Sequence, residues 1–446
     1  MQDTITRADL VIHPRWVLPV EPEGQLLENT SVVVSGNRIA AVLDRDQARG
    51  IEAAQILELP GHVLMPGLVN AHGHAAMSLL RGYADDLALM PWLEQFIWPA
   101  ETRHVDAGFV RDGVRLAIAD MLRSGTTTCS DMYFFPEQAA SEYRASGMRA
   151  QIAFPILEFA SAWGTGPDDY LARGLALIDE YRHAEMQTVV FGPHSSYAVA
   201  EPTLARVATL AAELDIATHI HLHETAGEVL QAVERCGERP IDTLNRIGLL
   251  GPRTQCVHMT DLGEQDIALL SATGSHVVHC PQSNMKLASG TCPVTQLLSA
   301  GVNVALGTDS AASNNSLNLF LEMRSAALLA KLGTGDPAAL PAARALTMAT
   351  LGGARALGME QQIGSLLPGK QADMIAVDLS GSATQPVYSP LSHLVYACSG
   401  SEVTHSWVAG RALLRDNRLT SIDEAAVLRR AAQWRETIIA GGQYTA

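Results

Sequence analysis

The chemistry of this chain starts at the stretch PGLVNAHGHAAMSLLRG, which begins at Pro66 and carries His72 and His74 one residue apart. Two histidines at i and i+2 point to the same face of a strand. An imidazole pair on one face is half of a metal site, and two ligands alone hold no metal well. The missing half has candidates further along: His194, His221, Glu224, His258 and Asp309. Neutral imidazoles with one carboxylate suit a borderline divalent ion such as Zn²⁺. Three histidines and one aspartate leave room for a water, whose pKa such an ion lowers to about 7. A carboxylate beside the site that is not a ligand then moves protons, and Glu224 is placed for that role.

The competing reading of each residue is structural. A lone strand histidine is usually a hydrogen-bonded core residue, Glu224 is also a first-turn helix acid, and Asp309 is also a turn cap. The joint occurrence of four ligand candidates, three imidazoles and a carboxylate, favours the metal site. His219, His221 and His223 share a face if their strand stays regular, so pattern alone does not choose among them. His276 and His279, with His13, His62, His104, His183, His393 and His405, read as structural or surface residues. The only lysines are Lys286, Lys331 and Lys370. None lies between His74 and His221, where some binuclear barrel hydrolases place a carbamylated lysine bridge, so a single-metal site is expected.

Residues more than 230 positions apart must converge, and the elements between them supply a way. From roughly 66 to 360, strand-like runs alternate with helical stretches. The strands are LVNAHGHA, GTTTCSDM, AQIAFPIL, TVVFGPHSS, ATHIHLHE, TQCVHMT, SHVVHCPQSN and NVALGTDSA. The segments between them, such as FVRDGVRLAIADMLRS and EPTLARVATLAAELD, carry apolar residues at helical spacing. Eight such units predict an α/β fold, a (β/α)8 TIM-type barrel, with an open doubly wound sheet as the alternative. In a barrel the C-terminal strand ends meet at one mouth. His72 and His74 end strand one, His194 strand four, His221 strand five, His258 strand six and Asp309 strand eight.

Both ends of the chain read as short β-strands: ADLVIHPRWVLPV, SVVVSGNRIAAVL and AAQILELPGHVLMPG at the start, ADMIAVDLSG and VTHSWVAGRALLRDNRL near the end. Neither set buries a face alone. The expected organisation is therefore a small β-sandwich domain from 1–65 and 363–446, and a barrel from 66–362.

With 47% hydrophobic and 17% charged residues over 446 positions, the chain has ample material for a large core. A net charge of −16 without a Lys/Arg cluster argues against a nucleic-acid partner. No apolar run approaches a transmembrane span, and no signal peptide is evident, so no membrane partner and a cytoplasmic location are expected. The six scattered cysteines read as buried, reduced thiols.

These stretches together resemble one family. PGLVNAHGHAAMSLLRG, WLEQFIWPAE, GPHSSYAV, HIHLHET, CVHMT, CPQSNMKLASG, LGTDSAASNNSLN and GSLLPGKQADMIAVD are similar to the amidohydrolase superfamily over nearly the whole length. Within it the likeness is to the mononuclear branch that deaminates 5-methylthioadenosine and S-adenosylhomocysteine. The resemblance implies His72, His74, His221 and Asp309 as ligands of one divalent ion, Zn²⁺ or alternatively Fe²⁺. It implies Glu224 as the acid/base facing the purine, and His258 as the partner of the attacking water. Asp309 also helps take that water's proton and contacts the substrate. Glu101 is implied at the ribose hydroxyls, with His194 and Trp92 as further substrate contacts; the competing readings make Glu101 a solvated helix acid and Trp92 a core residue. The expected reaction is hydrolytic removal of the 6-amino group of a small nucleoside, and a homo-oligomer is expected by the same likeness. Arginines near strand three hold the homocysteine carboxylate in some members. Here Arg149 stands at the start of that strand, the wrong end, so methylthioadenosine fits the pattern better. Rival reactions on the same ligands are guanine or cytosine deamination and triazine hydrolysis. An inactive barrel scaffold is the rival of another class.

Overall fold

The computed structural model describes residues 5–442. Its centre is a parallel sheet whose eight strands follow chain order: β1 (Leu68–Gly73), β2 (Thr126–Met132), β3 (Arg149–Ile156), β4 (Gln187–Pro193), β5 (Thr218–Leu222), β6 (Thr254–His258), β7 (His276–His279) and β8 (Val304–Leu306). The sheet closes on itself. The backbone amides of Thr308 and Asp309 both donate to the carbonyl of His72 at 3.1 Å, and Gly73 bridges Asp309 in parallel. Gly307 makes that approach possible, since a Cβ there would stand 2.8 Å from the His72 Cβ. The eight strands are therefore a TIM-type barrel, and the open-sheet alternative falls.

Helices cover the outside. The first long one, α1 (Ala107–Arg123), begins where the Asp106 side chain accepts from the Phe109 amide at 2.8 Å. Its buried face carries Val110, Val114, Ile118 and Met121 at three- and four-residue spacing. Each such side chain contributes about 1.5–3 kcal/mol by leaving water.

The two chain ends form one mixed sheet of nine strands. Its spine is the long strand Glu52–Pro66, parallel to Arg7–Val17 on one side and antiparallel to Met374–Asp378 on the other. The sheet folds over a core including Ile12, Val32, Leu64, Met374 and Trp407, as the small β-sandwich. Only Gly67 separates the long strand from β1. At this junction the Gly67 amide donates to the Asp373 carbonyl at 3.0 Å. The Asp373 carboxylate takes two hydrogen bonds from Arg149, at 2.9 and 3.2 Å, with both side chains 2% exposed. Arg149 is thus at the end of the barrel away from the mouth, tying the two sheets together.

Two sequence readings need amendment. The tail holds, besides strands, a helix spanning Glu424–Ala440; its Arg430 and Trp434 both donate to Asp112 on α1, and Trp434 packs edge-on against Phe109. Five cysteines are buried, but Cys236 is exposed because it ends an amphipathic surface helix just before Gly237. Among the described residues no helix is long and apolar enough to cross a membrane.

Candidate active site and metal centre

Each implied ligand comes from a C-terminal strand end. His72 is the fifth residue of β1, and His74 follows its end; His221 lies on β5 and Asp309 just beyond β8. The Nε2 atoms of His72 and His74 each stand 3.3 Å from Asp309 Oδ1, and His221 Nε2 stands 3.3 Å from His74 Nε2. A tetrahedral shell with metal–nitrogen bonds of about 2.0–2.1 Å places its ligand atoms roughly 3.3 Å apart. His72 Nε2 is fully buried and has no hydrogen-bond partner. A buried lone pair without a donor is what a cation would satisfy. The donor set of three imidazoles and one carboxylate therefore fits a borderline divalent ion.

The atoms behind the ligands set their tautomers. His74 Nδ1 donates to the Met132 carbonyl, and His221 Nδ1 to the His194 carbonyl at 2.7 Å. Both leave Nε2 as a free lone pair. His72 Nδ1 lies 2.7 Å from His219 Nε2, and His219 Nδ1 lies 2.7 Å from Gln255 Oε1. Gln255 can only accept at that oxygen, so His219 donates to it and receives from His72, which again frees His72 Nε2. Asp309 Oδ2 accepts from Ser283 and Ser313 at 2.6 and 2.8 Å. Burial opposes its charge, but the His72 and His74 imidazoles beside it hold the carboxyl well below its ordinary range. Burial and the surrounding imidazoles keep His221 well below its usual value, so it is neutral at pH 7. Asp309 adopts φ +61° and His258 φ +75°. Non-glycine residues rarely adopt this left-handed backbone, and its cost is tolerated where geometry is functional.

The geometry separates the three histidines on and just after β5. His219 and His221 both point into the barrel, one layer apart, and only His221 reaches the ligand cluster. The strand ends at Leu222, and His223 turns away at φ +50° to donate to the Asp261 carbonyl and accept from the Ile241 amide.

Beside the ligands, His258 Nε2 stands 3.7 Å from Glu224 Oε1, and His258 Nδ1 is held by Asn284 Oδ1 at 2.9 Å. Burial pushes the Glu224 carboxyl up, and the nearby His258 draws it back in part. These side chains share one cavity of about 280 Å³ with His194, Trp92 and Glu101. Glu101 accepts from the Tyr133 hydroxyl at 2.7 Å, and burial pushes it up to about 7 against that bond. Burial lowers His194 to about 4, leaving it neutral. The residues expected at the site line this one cavity, except His72, which is fully buried behind it.

Several supports escaped the sequence reading. Tyr133, Gln255, Asn284, Ser283 and Ser313 carry no local pattern. Glu228 does: Thr225 and Glu228 have capping-box spacing, and the Thr225 hydroxyl accepts from the Glu228 amide. The Glu228 carboxylate accepts instead from the Glu224 amide, at 2.7 Å, so it anchors the residue next to the cap.

A family model described as "Amidohydrolase family" matches residues 63–413. The chain belongs to the amidohydrolase family. A 5-methylthioadenosine/S-adenosylhomocysteine deaminase of Teredinibacter turnerae is 50% identical, over 97% of this chain and 98% of its own. A 5'-deoxyadenosine deaminase of Methanosarcina mazei is 41% identical, over 97% and 99%. Among solved structures, an adenosine deaminase from Xanthomonas campestris with bound zinc superposes with a TM-score of 0.97 at 46% identity, covering 98% of this chain and all of that one. Members of the family generally hold a divalent metal, in keeping with the histidine cluster of this amidohydrolase.

Proposed function

We propose that this amidohydrolase removes the 6-amino group of an adenine nucleoside by hydrolysis, releasing ammonia and the inosine analogue. Methylthioadenosine is the leading substrate and S-adenosylhomocysteine the second. The observation that carries the reading is the pairing of a four-ligand centre with a protonatable Glu224 in the same cavity. It is supported by relatives named for adenine-nucleoside deamination. His72, His74, His221 and Asp309 hold one cation, with zinc the first candidate. When bound, the ion supplies Lewis acidity and lowers the pKa of a water at the site to about 7.

The side chains do the rest. Glu224 keeps its proton above the ordinary carboxylate range and gives it to the ring nitrogen beside C6. That makes C6 more electrophilic as water adds. Asp309 and His258, whose Nε2 faces the Glu224 carboxylate, help take the proton from the water. Glu224 then relays a proton to the amine, the C6–N bond breaks, and ammonia leaves. Glu101 receives the ribose hydroxyls, while Trp92 and His194 pack around the nucleoside. The test is ammonia release by zinc-loaded protein from methylthioadenosine, S-adenosylhomocysteine, adenosine, guanine and cytosine, with chloride release from a chlorotriazine followed in parallel. Turnover of the adenine nucleosides is expected, and ammonia only from guanine or cytosine would overturn the reading.

A further inference from the structure

The cavity lining is of two chemical kinds. One is the polar set of ligands with Glu224 and His258; the other is apolar and includes Leu89, Leu93, Trp98, Phe134, Leu157 and Phe159. Trp98 is 38% and Phe159 54% exposed, so these two rings mark the end open to solvent. Large exposed aromatics at the rim of a concave site gain by being covered.

A nucleoside whose adenine meets Glu224 and whose ribose meets Glu101 sends its 5' substituent toward this apolar end. Among the described residues, no arginine or lysine lines the cavity. The cations nearby in the chain are engaged elsewhere: Arg103 with the Gly441 carbonyl, Lys286 with Asp85 and Asn315, and Arg235 with the Ser196 carbonyl. Arg149 is at the other end of the barrel with Asp373. The other ionisable side chains that line the cavity are acids, Glu101, Glu224 and Asp309, alongside its histidines. A carboxylate brought here would lose water without gaining a cationic partner.

We propose that the outer part of the cavity is an apolar subsite for an uncharged 5' group, which accepts neutral alkylthio chains well beyond methyl and rejects an arm ending in an amino-acid zwitterion. This rests on the deaminase reading above and narrows its substrate class to adenine nucleosides with neutral, apolar 5' substituents. Length is not what excludes the homocysteine arm; charge is.

The experiment separates the two. Ammonia release is measured on zinc-loaded wild-type protein with four nucleosides: methylthioadenosine, its 5'-butylthio and 5'-(3-aminopropylthio) analogues, and S-adenosylhomocysteine. The butylthio chain matches the homocysteine arm in length and lacks both charges. Its kcat/KM is expected within about tenfold of that for methylthioadenosine, because extra methylenes change apolar binding modestly. S-adenosylhomocysteine is expected at least about 100-fold below the butylthio compound, since its carboxylate is desolvated unpaired. The aminopropylthio compound falls between them, because the acids lining the cavity favour an ammonium. Equal turnover of S-adenosylhomocysteine and the butylthio analogue overturns the subsite while leaving the deaminase reading intact. A butylthio compound as poor as S-adenosylhomocysteine also overturns it, since length would then be the barrier. Absence of ammonia from all four overturns the deaminase reading and this inference with it.

Discussion

Replacing Tyr133 with phenylalanine removes one oxygen and leaves the ring in place. That hydroxyl donates to Glu101 at 2.7 Å. It stays protonated, because burial and the neighbouring Glu101 charge push its own pKa well above the usual tyrosine value. Glu101 stands at about 7, driven up by burial and drawn back by the Tyr133 bond and the nearby His74. A hydrogen bond to a charged group is worth roughly 1.5–3 kcal/mol, and each pKa unit is 1.36 kcal/mol, so Tyr133→Phe raises the Glu101 pKa by about 1–2 units. In the proposed function Glu101 accepts the ribose hydroxyls as a carboxylate. In the wild type KM for methylthioadenosine therefore falls as pH rises through about 7. In the variant the same fall moves to higher pH by about 1–2 units. Between the two transitions the variant's KM is about tenfold higher, with kcat little changed, because Glu101 does not touch the reacting carbon. The assay is coupled ammonia release across the neutral and mildly alkaline range. An inflection that stays in place, or moves to lower pH, refutes the reasoning.

Four other outcomes follow from the same geometry. Glu224→Gln keeps one metal per chain by elemental analysis and lowers kcat by about 10²–10⁴-fold; near-normal turnover would remove Glu224 from proton transfer. Glu101→Gln stabilises the ligand-free protein at alkaline pH but not in acid. A carboxyl raised from 4.5 to about 7 lets the folded state lose stability as pH climbs between those values, and the variant's Tm should escape that loss. Arg149→Met leaves Asp373 buried without its partner and costs roughly 3–5 kcal/mol in denaturant unfolding, whereas an unchanged midpoint would show that the pair does not clamp the junction. Chelation abolishes ammonia release and zinc restores it; activity that survives complete metal removal would sink the metal role.

All eight barrel strands could be read from the sequence, because a fully buried parallel strand is a short apolar run and its mouth-facing end is where polar residues appear. His219, His221 and His223 show where that reading stops. Their spacing is regular, but the strand ends at Leu222, and the backbone turn at His223 carries no sequence mark. Tyr133, Gln255 and Asn284 act through contacts across 26 to 36 residues of chain, from neighbouring barrel segments that no local period connects. The helix Glu424–Ala440 follows a run of strands and is held to α1 by Asp112, more than 300 residues earlier, a contact that no local pattern marks.

The long strand Glu52–Pro66 has a consequence for the making of the protein. It passes through Gly67 directly into the strand that bears His72, and its far edge pairs with Met374–Asp378. On the ribosome that edge emerges more than 300 residues before its partner. Until the partner follows, the growing chain carries an open strand edge with apolar side chains, the kind that pairs with other chains. The clamp behind the first ligand strand closes only when Asp373 arrives to meet Gly67 and Arg149. The barrel is therefore closed at the end opposite His72, His74, His221 and Asp309 by translation of residues that never approach them.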